Sequence, residues 1–118
     1  MDRTEIWEVV GDIAVSYPLM ECDRCAIAIM TWLNQNQIPG TILRLRTQRK
    51  RELFIVSQRH GMHESITENG IHYGVNVLGL VFDNLSAYGL SKEEWIADFR
   101  CPSGKFLIDE LDLDEMNK

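Results

Sequence analysis

A chain of 118 residues, 45 % of them apolar, holds enough material for one domain with its own core and too little for two. A net charge of −6 argues against a nucleic-acid partner, because phosphate contacts need clustered cations. No apolar run is long enough to span a membrane, the acidic start Met1-Asp2-Arg3-Thr4-Glu5 does not read as a signal peptide, and three cysteines make no disulfide framework.

Ile6, Val9, Ile13 and Tyr17 recur at helical spacing, and Val10 and Ala14 widen the face. Residues 3–17 therefore read as an amphipathic helix covering a core, and Pro18 ends it. A loop, Leu19 to Glu21, leads into Cys22-Asp23-Arg24-Cys25 and then Ala26-Ile27-Ala28-Ile29-Met30-Thr31-Trp32-Leu33. So few polar residues predict a buried central helix, from about Arg24 to Asn36, with Asp23 as its N-cap. Ile38-Pro39-Gly40 closes it. Cys25 then sits at the start of this helix, where the dipole, the free N–H groups and Arg24 favour a thiolate. It reads either as a nucleophile or as a small buried apolar residue.

Thr41–Thr47 alternates and predicts a strand, and Glu52–Ser57 a second. The basic tip between them, Gln48-Arg49-Lys50-Arg51, reads as a solvated turn. Ser57–Asn69 is a polar loop with His60 and His63. Ile71–Val77 and Leu80–Asp83 form a hairpin with Leu78-Gly79 as its turn. In that register His72, Gly74 and Asn76 share a face with Val81 and Asp83, and His72 and Asp83 are diagonal neighbours. Such a pair is either a structural hydrogen bond or an imidazole oriented by a carboxylate for catalysis. Gly74 should leave open space over it. Ser91-Lys92-Glu93-Glu94 is a capping box, so a helix should run to about Phe99 with Trp95 and Phe99 facing the core. Phe106–Ile108 reads as a short strand, and the acidic tail from Asp109 is either exposed or folded back on the basic tip.

These elements make a single α+β domain over residues 1–118, with a core at 19–100 and an acidic tail at 109–118. A buried helix packs on an antiparallel sheet of about four strands. Cys25 heading the helix, the strand Asn69-Gly70-Ile71-His72-Tyr73-Gly74-Val75 and the segment Leu80-Val81-Phe82-Asp83-Asn84-Leu85 resemble the papain-fold toxin domains of bacterial polymorphic toxins, in particular the group called papain fold toxin 2. The resemblance covers Cys22 to Leu90. It implies a papain-like cysteine hydrolase (peptidase, amidase or deamidase) with Cys25 as nucleophile, His72 as general base and acid, and Asp83 as the orienter of His72. It implies a protein or peptide substrate, a cognate immunity protein, no cofactor and no metal. Residence is expected to be cytoplasmic, or secreted as part of a toxin system, with no nucleic-acid or membrane partner.

One departure stands out. Papain-like peptidases commonly take an oxyanion-hole donor from a Gln upstream of the nucleophile, and residues 1–24 contain neither Gln nor Asn. Losing one such donor costs about 10²–10³ in rate. The replacement would be a backbone N–H in the Leu19–Arg24 turn or another side chain. Three other readings compete. Cys22-x-x-Cys25 has the form of a thiol-redox motif, which expects a strand entering it. Cys22 and Cys25 with a pair from Cys101, His60 and His63 would make a zinc site, although His60-x-x-His63 is short for one. The fold could also persist as a catalytically inactive interaction module. In the hydrolase reading Cys22 is a bystander or a redox brake on Cys25.

Overall fold

A computed structural model describes residues 1–117. Helix α1 (Arg3–Val15) begins with a reciprocal cap: Asp2 accepts from the Glu5 N–H at 2.8 Å, and Glu5 reaches back to the Asp2 N–H. It buries Ile6, Val10 and Ala14. Helix α2 (Cys22–Gln35) starts two residues earlier than the sequence suggested. Its N-cap is Glu21, whose side chain makes no cap bond, and not Asp23. The start is set by backbone: Glu21 N–H closes a turn on the Pro18 carbonyl at 3.2 Å, with Met20 at φ 75°. The Cys25 N–H already donates to the Glu21 carbonyl at 3.0 Å. The free N–H groups of the helix are therefore those of Cys22, Asp23 and Arg24, not that of Cys25. One face of α2 is buried, through Cys22, Cys25, Ala26, Ile29, Met30 and Leu33, while Ile27, Ala28 and Trp32 are half-buried.

The strands are β1 (Thr41–Thr47), β2 (Val56–Ser57), β3 (Ile71–Val77), β4 (Leu80–Phe82), β5 (Phe99–Arg100) and β6 (Phe106–Leu111), with helices α3 (Lys92–Ala97) before β5 and α4 (Leu113–Met116) after β6. The main sheet is antiparallel in the order β4-β3-β1-β6. The β3–β4 register matches the sequence reading: Val77 opposite Leu80, Asn76 opposite Val81, Val75 opposite Phe82. Leu78 and Gly79 both take positive φ, 52° and 98°, the turn that suits a twisted hairpin.

Two expectations give way. Of Glu52–Ser57 only Val56–Ser57 is a strand, and it pairs with β5 in a separate two-stranded ladder, not with β1. The acidic tail does not fray: β6 runs to Leu111 and lies on β1, where Asp109 sits opposite Arg44 and bonds Arg44 and Arg46 at 2.9 and 3.1 Å. Cross-strand charge pairing draws it into the sheet, away from the Arg49–Arg51 tip.

The sheet is apolar on both faces. Ile42, Val75, Val77 and Phe82 pack with α1 and α2. Leu43, Leu45 and Val81 pack with Ile55, Ile66, Trp95 and Phe99. A Cβ on Gly74 would lie 2.8 Å from Val81 and 2.9 Å from Trp95. The space beside the histidine is therefore filled by the indole, and is not the opening that the sequence suggested. Trp95 is held there by α3, whose Ser91–Glu94 capping box forms as expected.

Candidate active site

His72 leaves β3 on the face covered by Trp95 and Phe99 and is wholly buried. Its ring centroid lies 6.0 Å from that of Trp95, nearly parallel, and 5.0 Å from that of Phe99. Asp83, one residue past β4, is also buried. The His72 Nε2 to Asp83 Oδ2 distance is 2.9 Å. Asp83 accepts four further bonds. Trp95 Nε1–H donates to Oδ2 at 2.9 Å and the Leu85 N–H to Oδ1 at 3.2 Å. Arg59 donates Nη1–H to Oδ1 at 3.0 Å and Nη2–H to Oδ2 at 2.8 Å.

Burial alone would raise the Asp83 carboxyl, but the bonds and charges of His72 and Arg59 outweigh it and hold the group well below the usual carboxylate range. Burial alone would lower the His72 imidazole. The Asp83 carboxylate and the Cys22 sulfur outweigh it and carry the ring up to about 9. With Nε2–H committed to Asp83, the remaining ring nitrogen is Nδ1, which is buried and has no hydrogen-bond partner.

The two cysteines of α2 occupy different surroundings. Cys25 is 1 % exposed within the α1–α2 core, and its Sγ faces the Ala14 carbonyl at 3.8 Å. Burial, then Asp83 and Cys22, push its thiol up to about 12. Cys22 is the first residue of the helix, with its Sγ 3.9 Å from the carbonyl of Ile71, the neighbour of His72. Of the two thiols it is the one that contributes to the raised value of His72. Cys22 also lines a cleft of about 230 Å³ with Met20, Asp23, Thr67, Asn69 and Tyr73 among its walls, whereas Cys25 does not. His72 and Asp83 are thus brought together as the sequence suggested, whereas Cys25 Sγ faces the Ala14 carbonyl and Cys22 Sγ faces the carbonyl of Ile71, the residue before His72.

Arg59 and Trp95 were not singled out as partners of Asp83. Arg59 arrives from a loop with no periodic signal, although Trp95 was expected to face the core. Asn84, next to Asp83, donates to the Pro18 carbonyl at 2.9 Å and ties down the turn that precedes Cys22. The rival readings find little support. A helix and a turn, not a strand, enter Cys22-x-x-Cys25. Among the described residues no cluster of three or more His, Cys, Asp or Glu is arranged to hold a metal. His60 instead bonds Glu64 at the surface at 3.0 Å.

A family model described as papain fold toxin 2 matches residues 5–100, a span that contains all but the first two residues of α1, both α2 cysteines, His72 and Asp83. Comparison with the curated proteins and with the solved structures finds no match.

Proposed function

Because the chain belongs to the papain fold toxin 2 family, we propose that it hydrolyses an amide bond of a protein or peptide by thiol catalysis, with Cys22 as nucleophile, His72 as general base and acid, and Asp83 as the orienter of His72. The observation that carries this reading is the unpartnered Nδ1 of His72, on a ring whose other nitrogen is pinned to Asp83 at 2.9 Å. A thiol that exchanges a proton with that atom gives it a partner, and what supports Cys22 in this part is its sulfur 3.9 Å from the Ile71 carbonyl and its place on the wall of the cleft. Cys25, the nucleophile suggested by the sequence, faces the Ala14 carbonyl with a thiol pushed up to about 12, which suits a core residue.

The chemistry follows from the geometry. The attacking state has the Cys22 proton on Nδ1 of His72, a protonated ring that the raised value of about 9 favours, while Nε2–H stays on Asp83. The thiolate attacks the carbonyl carbon, and the charge that develops on oxygen meets the free N–H groups of Cys22 and Asp23 at the start of α2. These backbone donors stand in for the absent upstream Gln. Nδ1 returns its proton to the leaving amine, the C–N bond breaks and a thioester remains. Water then gives a proton to Nδ1 and attacks the thioester, the C–S bond breaks, the acyl group leaves as a carboxylic acid, and the proton on Nδ1 is again shared with the Cys22 sulfur. Asp83, held ionised by its five donors, keeps one ring tautomer throughout.

The family context makes the target a protein of the cell into which such a domain is delivered, and makes a cognate immunity protein the natural cover of the cleft. Among the described residues no helix is long and apolar enough to cross a membrane. The test is cleavage of a peptide mixture by wild type, Cys22→Ala and Cys25→Ala proteins, read by mass spectrometry. Loss with Cys22→Ala alone is expected. Loss with Cys25→Ala in a folded protein, with Cys22→Ala still active, would overturn the assignment.

A further inference from the structure

Arg59 is the member of the buried cluster that the reaction steps above do not use. Its guanidinium is 18 % exposed and lies between two buried carboxylates. Two of its nitrogens bond the two oxygens of Asp83, in the parallel fork that only arginine offers. Its Nε–H donates to Asp98 Oδ2 at 2.9 Å, and its backbone N–H to Asp98 Oδ1 at 3.0 Å. Asp98 also accepts from the Ser57 hydroxyl, so one carboxylate grips the arginine by backbone and side chain and ties it to β2. Phe99 lies between the two cations' positions: the guanidinium carbon is 5.8 Å from its ring centroid, and the His72 ring is 5.0 Å away on centroids.

A carboxylate that merely sat beside His72 could rotate, and with no other cation it would hold the imidazolium proton tightly. Both effects harm a ring that must give its proton to an amine and then take one from water. Building on the Cys22–His72–Asp83 reading, we propose that Arg59 is a positioning residue of the site, which clamps the Asp83 carboxylate toward His72 Nε2 and shares its charge so that the ring can release its proton. The groups facing His72 are few. Asp83 comes from the end of β4, Cys22 from α2 and Arg59 from the loop after β2, with Asp98, at the end of α3, behind Arg59. Trp95 and Phe99 contribute uncharged faces. Removing Arg59 takes away a like charge and a competitor for Asp83, so the His72 ring should become more basic.

The experiment is an NMR titration of the His72 ring, assigned with a His72→Gln protein, alongside the pH dependence of Cys22 alkylation by iodoacetamide. Arg59→Lys keeps the charge without the fork, and Arg59→Gln with Asp98→Asn removes the clamp and one carboxylate together, which spares the fold an unpaired buried charge. The double variant should shift the His72 titration upward by about one pH unit or more. Arg59→Lys should show a smaller upward shift, because it keeps the charge and loses only the fork. A His72 titration in the double variant that overlays wild type would overturn the proposal and leave Arg59 as a structural ion-pair partner. That titration decides the point even if Cys22 proves unreactive. Wild-type alkylation of Cys22 that is insensitive to His72→Gln would instead sink the catalytic reading.

Discussion

Cys22 and Cys25 lie one helical turn apart in α2 and meet different neighbours: Cys22 Sγ is 3.9 Å from the Ile71 carbonyl beside His72, and Cys25 Sγ is 3.8 Å from the Ala14 carbonyl under α1. The separation divides their roles. Cys25→Ala removes a buried sulfur from the α1–α2 core, and a small cavity of that kind should cost about 1 kcal/mol. Urea unfolding should show a lower midpoint, while the alkylation rate of Cys22 stays as in wild type. Cys22→Ala, whose sulfur is also buried, should lower the midpoint by no more than Cys25→Ala does and should abolish catalysis.

Stability should depend on pH through His72. Its folded-state value of about 9 lies above the usual imidazole value of about 6.5. A raised value contributes stability that is full below about 6.5 and is lost as pH rises toward 9. Asp83 works at the other end. Its depressed value contributes stability that is full above the usual carboxylate range and is lost as pH falls below about 4. Denaturant midpoints measured from pH 3 to 10 should therefore fall on both sides. The decline between 6.5 and 9 should be absent from His72→Gln.

Gly74→Ala tests the packing that holds the indole against the pair. The new Cβ meets Val81 at 2.8 Å and Trp95 at 2.9 Å, and neither a β-branched side chain nor a wedged indole yields cheaply. Overpacking of this sort costs about 1–3 kcal/mol. The fluorescence of Trp95, read in a protein with Trp7 and Trp32 replaced by Phe, should shift as its Nε1–H leaves Asp83. An unchanged spectrum and midpoint would show that the indole has room to move.

Trp95→Phe removes one of the two neutral donors to Asp83 while keeping an aromatic face on His72. A hydrogen bond to a charged group contributes about 1.5–3 kcal/mol, so a lower unfolding midpoint is expected. The Arg59 fork and the Leu85 N–H should still hold the carboxylate, and Cys22 alkylation should fall less than it does in His72→Gln.

The hairpin was legible because its turn chemistry and strand alternation agree. Leu78-Gly79 takes the positive φ values that a two-residue loop demands, and the register follows, which brings His72 to Asp83. The capping box of α3 is likewise local and forms. The start of α2 was not legible from side chains. Asp23 has the chemistry of a cap, yet the backbone turn Pro18–Glu21 begins the helix earlier. Two residues are enough to make Cys22 the helix-leading thiol in place of Cys25. Arg59 and the partner of Val56–Ser57 depend on contacts across some forty residues, which no local pattern carries. Asp109 read as solvated, because its partners Arg44 and Arg46 lie on a strand far away in sequence.

The most direct test of the Cys22–His72 pair is site-resolved alkylation. Wild type and His72→Gln would be treated with limiting iodoacetamide at near-neutral pH, and the labelled cysteine located by peptide mass spectrometry. The expected result is labelling of Cys22 in wild type, slower by an order of magnitude or more in His72→Gln, with Cys25 unlabelled in both. Labelling that falls first on Cys25, or a Cys22 rate indifferent to His72, would contradict the assignment.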